Sequence, residues 1–173
     1  AETIMAGEAA LMRGRFADAH IALERSYAQI EGNGQENMAL CADFLALRLS
    51  LCADTPLRYA PEQRRAALLG QHNISWVNIF TAAKAYYSAL LGETDRIPAV
   101  FAGHALASVN ILAPGRPMIE MIENQVYLAQ GAWAKVIGRA PGLLAACGGL
   151  HYALVALHIN LQTAAAYAML GKE

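Results

Sequence analysis

Four glycines close apolar helical stretches at nearly constant spacing: Leu-Met-Arg-Gly14, Ala-Leu-Leu-Gly92, Leu-Ala-Gln-Gly131 and Ala-Met-Leu-Gly171. Gly92 and Gly131 are 39 residues apart, Gly131 and Gly171 are 40 apart, and Gly14 precedes Gly92 by 78, two such periods. The mark missing from the series is expected at position 53, where Ala53-Asp54 ends another apolar stretch, 45–52. A helical unit that returns with this period buries its apolar face only against its neighbours. The chain is therefore constrained first to a shape, an all-α array of helix–turn–helix repeats of about 39–40 residues.

Gly and Pro fall at the joints, and no segment alternates apolar and polar residues over a run rich in β-branched side chains. The spacing predicts helices over 2–13 and 16–30, the second with Phe16, Ala19, Leu23, Ser26, Tyr27 and Ile30 on one face. Gly32-Asn33-Gly34 stops that helix as a left-handed cap would. A helix over 35–52 carries Leu40, Phe44, Leu47 and Leu51, and 54–60 is a linker. Pro61 opens a shorter helix that ends near Gly70. The helix over 74–91 bears a line of Trp76, Phe80, Tyr86 and Tyr87. Asp95 is expected to cap a short segment ending near position 101, and 104–117 is the least regular part. Helices over 118–130, 132–147 and 150–170 complete the chain, with Pro141-Gly142 bending the second and Gly148-Gly149 splitting it from the third. The units are thus 1–34, 35–72, 73–116, 117–148 and a terminal helix, 149–173, in one repeat domain spanning 1–173.

At 173 residues the chain buries roughly 70% of its unfolded surface, enough for a stable fold. Hydrophobic residues make up 56% and charged residues 16%, a balance that suits close helix–helix packing. Thirteen basic and 14 acidic residues leave a net charge of −1 with no basic stripe, so the chain by itself is not a nucleic-acid binder. Cys41, Cys52 and Cys147 all lie in apolar helical segments and read as reduced core thiols of a cytoplasmic protein. No charged residue falls between Arg139 and Lys172. His151, His158, Asn160, Gln162 and Thr163 break that run, and polar groups are costly at bilayer depth, so a helix packed between repeats is expected there, not a membrane span.

The first unit resembles the tetratricopeptide repeat. A small residue stands midway along its first helix (Gly7), glycine and an aromatic mark its turn (Gly14, Phe16), and Ala19, Leu23 and Ser26 follow in a small–large–small order. Small residues let the two helices cross closely while large ones fill the groove. Gly131-Ala132-Trp133 repeats the turn; the second unit lacks the glycine and the third has a stunted second helix. Met5 to Phe16, Leu91 to Pro98, Tyr127 to Trp133 and His158 to Gly171 together resemble the helical sensor region of large LuxR-type, MalT-like bacterial transcription regulators. The resemblance implies a right-handed superhelix, an α-solenoid, that binds a small-molecule inducer or a protein in its concave groove. It also implies relay to an ATPase module before it and a DNA-binding helix-turn-helix after it. Neither a Gly-x-x-x-x-Gly-Lys-Ser/Thr loop nor a basic recognition helix occurs here. An opening without methionine and an end at Gly171-Lys172-Glu173 accord with an excised middle region. The other reading is a free-standing tetratricopeptide adaptor for protein–protein docking.

In that repeat the first helix of each unit lines the concave surface, which places Glu8, Asp43, Leu47, Tyr86, Met118, Met121, Gln125, His158 and Leu161 toward the groove. Tyr86, Tyr87 and Gln125 form the triplet expected to matter most. Nothing specifies catalysis, a cofactor or a metal. His151 and His158 stand seven apart on one predicted helix with Cys147 nearby, too few ligands for a metal site. Glu120 and Glu123 read as a solvated face, and Ser50, Ser88 and Ser108 have no assignable base. The uncovered face of the terminal helix is expected to seek a second copy or a following helix.

Overall fold

A computed structural model describes residues 2–53, 61–106, 109 and 115–171. Among them the chain is all-α: nine α-helices, one 3-10 turn and no strand. The chain divides into two compact units, Ala1–Phe80 and Thr81–Glu173.

The first unit holds α1 (Glu2–Met12), α2 (Phe16–Ile30), α3 (Glu36–Ala53), α4 (Pro61–Gly70) and the opening turns of α5 (Ile74–Leu90). In α2 the buried residues are Ala19, Leu23 and Ser26, a helical step of four and three that leaves the other faces wet. Ala19 and Leu23 pack with Ile4, Ala10 and Leu11 of α1 and with Ala42, Leu45, Ala46 and Leu49 of α3, while the Ser26 hydroxyl donates to Ala22 O at 2.8 Å. Gly7 is needed where α1 meets its neighbours, because a Cβ there would lie 2.5 Å from Leu45 Cδ2 and 3.2 Å from Ala22 Cβ. A further cluster joins Leu40, Leu68, Val77 and Phe80, with Phe44, Trp76 and Ile79 against it. The expected linker 54–60 lies outside the described residues.

The second unit takes the rest of α5, then α6 (Ala99–Ala102), α7 (Arg116–Ala129), α8 (Trp133–Gly149) and α9 (Ala153–Met169). Helix α7 is its centre, with Ile119, Ile122 and Val126 packed among Ala82, Ala85, Ala89, Ile97, Phe101, Ala140, Leu143 and Ile159. Tyr127, Val136 and Ala166 join α7, α8 and α9 in a smaller cluster.

Three local expectations are corrected. Asp95 caps nothing: it sits inside a one-turn 3-10 helix, Thr94–Arg96, and α6 starts afresh after Pro98. Gly148 and Gly149 do not split the chain but finish α8, which also runs on through Pro141. The turn comes at His151, whose φ is +56°. The third correction follows from the second: α9 begins at Ala153, so His151 and His158 share no helix face.

The turns are built alike. At Gly14, Gly92 and Gly131 the left-handed residue's N–H and the next N–H reach back three and five residues, as in Leu11 O and Ala10 O for Gly14 and Arg15. The same pair of bonds and the same sign of φ recur at His72, His104 and His151. Half of these helix ends are therefore punctuated by histidine.

Candidate functional site

In the first unit, neither acidic residue expected at the groove is free. Asp43 on α3 is 3% exposed. Its carboxylate accepts the Tyr27 hydroxyl at 2.7 Å and Arg64 Nε at 2.9 Å, and Arg64 also pairs with Glu36. Burial pulls the Arg64 pKa down, but its hydrogen bonds to Asp43 and Glu36 outweigh that, and the net shift is upward. This network fastens α2, α3 and α4. Glu8 on α1 is likewise ion-paired with Arg48 of α3. A groove of about 410 Å³ does open between α1 and α2, lined by Ala6, Ala10, Ala22 and Ile21 together with Arg25 and the Arg15–Asp18 ion pair.

In the second unit, α7 and α9 pack side by side and bring several expected residues to one seam. Met118 and Gln125 are half-buried and Met121 is buried on α7; His158 is half-buried on α9 and Leu161 is exposed. Gln162, absent from the sequence-based set, stitches the seam: its Nε2 donates to Met121 O at 3.0 Å and to Gln125 Oε1 at 3.1 Å. Tyr86 packs against the core that holds Ile119 and Ile122. Tyr87 is half-buried. Helix α9 has no Asp, Glu, Lys or Arg, and on α7 Glu120 pairs with Arg116 at 3.7 Å.

A second cluster overturns the wet-face expectation for Glu123, which is only 5% exposed. Arg139 Nη1 of α8 lies 2.5 Å from Glu123 Oε2, an ion pair whose N–H is not aligned as a hydrogen bond. His104 Nδ1 stands 3.9 Å from Glu123 Oε1. The His104 ring also stacks on Tyr127, with centroids 4.0 Å apart and planes 13° apart. Lys135 Nζ and Arg139 Cζ lie 5.0 and 5.1 Å from the centre of the Tyr127 ring, so cation–π attraction adds to the stack. The cluster ties the turn after α6 to α7 and α8. The sequence held a signal for it: Glu123 and Arg139 lie eight residues before and after Gly131, so a helix hairpin folded there sets them opposite each other.

Asn124, next to Glu123, is fully buried and neither amide atom meets a protein partner. Burial pushes the thiols of Cys41 and Cys147 up, and both are free. Among the described residues no three His, Cys, Asp or Glu side chains gather as metal ligands, and no helix is long and apolar enough to cross a membrane. No protein-family model, curated protein or solved structure matches the chain.

Proposed function

We propose that this chain is a tetratricopeptide-like helical-repeat domain that binds a ligand or partner and regulates flanking domains of a LuxR-type, MalT-like transcription regulator. The observation that carries the reading is the α7–α9 seam, where Met118, Met121, Gln125 and His158 mix apolar surface with hydrogen-bonding groups, as ligand sites do. The uncharged α9 and the paired charges of α7 favour a ligand whose contacting part is neutral, since a buried charge needs a partner. Relay then requires the ligand to prefer one arrangement of the helices over another. The domain itself carries out no catalysis in this reading, and its free thiols suit the cytoplasm.

A thermal-shift screen with sugars, amino acids, aromatic acids and nucleotides tests the reading. A saturable rise in melting temperature that Gln125→Ala abolishes supports it. A rise untouched by Gln125→Ala moves the site elsewhere, and a flat response across the library removes the small-molecule form of the proposal.

The second reading, an adaptor for protein docking, is favoured by the α1–α2 groove. Its small residues and the exposed Ile21 suit the apolar face of an amphipathic helix. Loss of a captured partner on Ile21→Glu, with Gln125→Ala silent, selects this reading.

A further inference from the structure

Helix α9 is two-faced. Ile159, Gln162 and Ala166 are buried, whereas Leu154, Leu157, Leu161, Ala164 and Ala168 are all exposed. Those five positions advance by three, four, three and four residues, the step that keeps side chains on one helical seam. The leucines are 39%, 50% and 58% exposed, far more than a helix needs to surrender to solvent. Large residues fill the first half of the stripe and small ones the second.

That gradient decides the partner. If a second α9 lies antiparallel across the first with the two-fold axis at Leu161, Leu154 meets Ala168 and Leu157 meets the likewise exposed Ala165, while Leu161 meets its own counterpart. On either side of the axis each leucine then faces an alanine, and the two helices approach closely. Parallel pairing would set leucine on leucine and alanine on alanine, leaving one end crowded and the other empty. With no formal charge over Ala153–Met169, nothing repels an identical helix and nothing selects a charged one. We propose that this stripe is a self-association surface, occupied by α9 of a second copy in an antiparallel, two-fold arrangement centred on Leu161. Such an interface is isologous and closes at two chains. The stripe is only about 21 Å long at 1.5 Å per residue. It therefore falls short of the usual 20–30 residues a side, and the dimer is concentration-dependent. The inference stands apart from the groove reading and withdraws Leu161 from the ligand's reach.

Sedimentation velocity of the full chain over a concentration series tests it. The expected mass climbs from one chain toward two and stops there. Leu161→Glu and Leu161→Lys, each checked for native helicity and melting temperature, should each stay monomeric at concentrations where the parent pairs. Mixing them should restore a one-to-one pair, because the axis residue faces itself. A parent that stays monomeric at every concentration overturns the proposal. So does growth beyond two chains, pairing that survives both charged variants, or a mixture of folded variants that fails to pair.

Discussion

Asn124 is the residue whose chemistry fits its place least. Seven residues before each turn glycine the chain otherwise puts a small side chain: Gly7 before Gly14, Ala85 before Gly92 and Ala164 before Gly171. Asn124 holds that position before Gly131, fully buried, with amide nitrogen and oxygen both unpaired. An unpaired buried polar group costs about 1–3 kcal/mol, whereas an alanine, as at positions 85 and 164, costs only the packing of the atoms removed. Asn124→Ala is therefore expected to stabilise the protein by about 1 kcal/mol, a rise of roughly 2–4 °C in melting temperature for a chain of this size. A fall on calorimetry would mean that the amide is hydrogen-bonded in solution and that the residue is structural. The departure of Asn124 from Gly7, Ala85 and Ala164 stands in the sequence; what it costs follows only from the burial. Glu123 taught the reverse lesson. Its charge suggested solvent, and only the partner that the hairpin places opposite it, Arg139, makes its burial tolerable.

At the scale of elements, most helix boundaries followed from apolar spacing, and α2 at Phe16–Ile30 and α4 at Pro61–Gly70 fall where the sequence placed them. The turns were half legible. Glycine advertises a positive φ and histidine does not: the ends of α4 and α6 are legible from spacing alone, but the end of α8 at Gly149, before the left-handed His151, is not. The backbone explanation is testable at the α8–α9 turn. A left-handed conformation costs a non-glycine residue about 1–2 kcal/mol, and glycine's extra unfolded-state entropy costs about 0.5–1 kcal/mol. The exposed His151 makes its turn at φ +56° through backbone bonds to Gly148 O and, from Tyr152, to Cys147 O. His151→Gly should therefore be neutral to stabilising by up to about 1 kcal/mol, and Gly131→Ala destabilising by a similar amount, measured by urea denaturation. If His151→Gly lost stability by more than that, the imidazole would have to be contributing a contact beyond its backbone turn. The groove was less legible than the turns, because register fixes which face a residue occupies but not what fills that face. Asp43 and Glu8 were placed at a groove by register, yet arginines from neighbouring helices pair with both.

For the molecule as a whole, Cys41 and Cys52 belong to the first compact unit and Cys147 to the second, so labelling followed position by position at Cys41 and Cys147 reports on the two separately. Desolvation by burial is the largest influence on both and holds each thiol protonated above its ordinary range. Only the thiolate reacts with a disulfide reagent, so labelling at pH 8 should be slow at both positions in the native protein and faster at half-buried Cys41 than at buried Cys147. The sign of the linkage follows. The folded pKa lies above the unfolded one, near 8.5, so the unfolded chain releases these protons first as pH rises. The stabilising contribution is complete below about pH 8.5 and is lost as pH climbs from there through the folded values. Urea titrations at pH 7.5 and 9.5 should show a lower midpoint at the higher pH. Replacing Cys41 and Cys147 by alanine, which does not titrate, should shrink the difference. Equal midpoints at the two pH values, or a difference that the double variant leaves intact, would show that these thiols are not held protonated by the fold. Labelling of Cys147 that matches an unfolded peptide in rate would place the opening of the second unit within reach of ordinary thermal fluctuation.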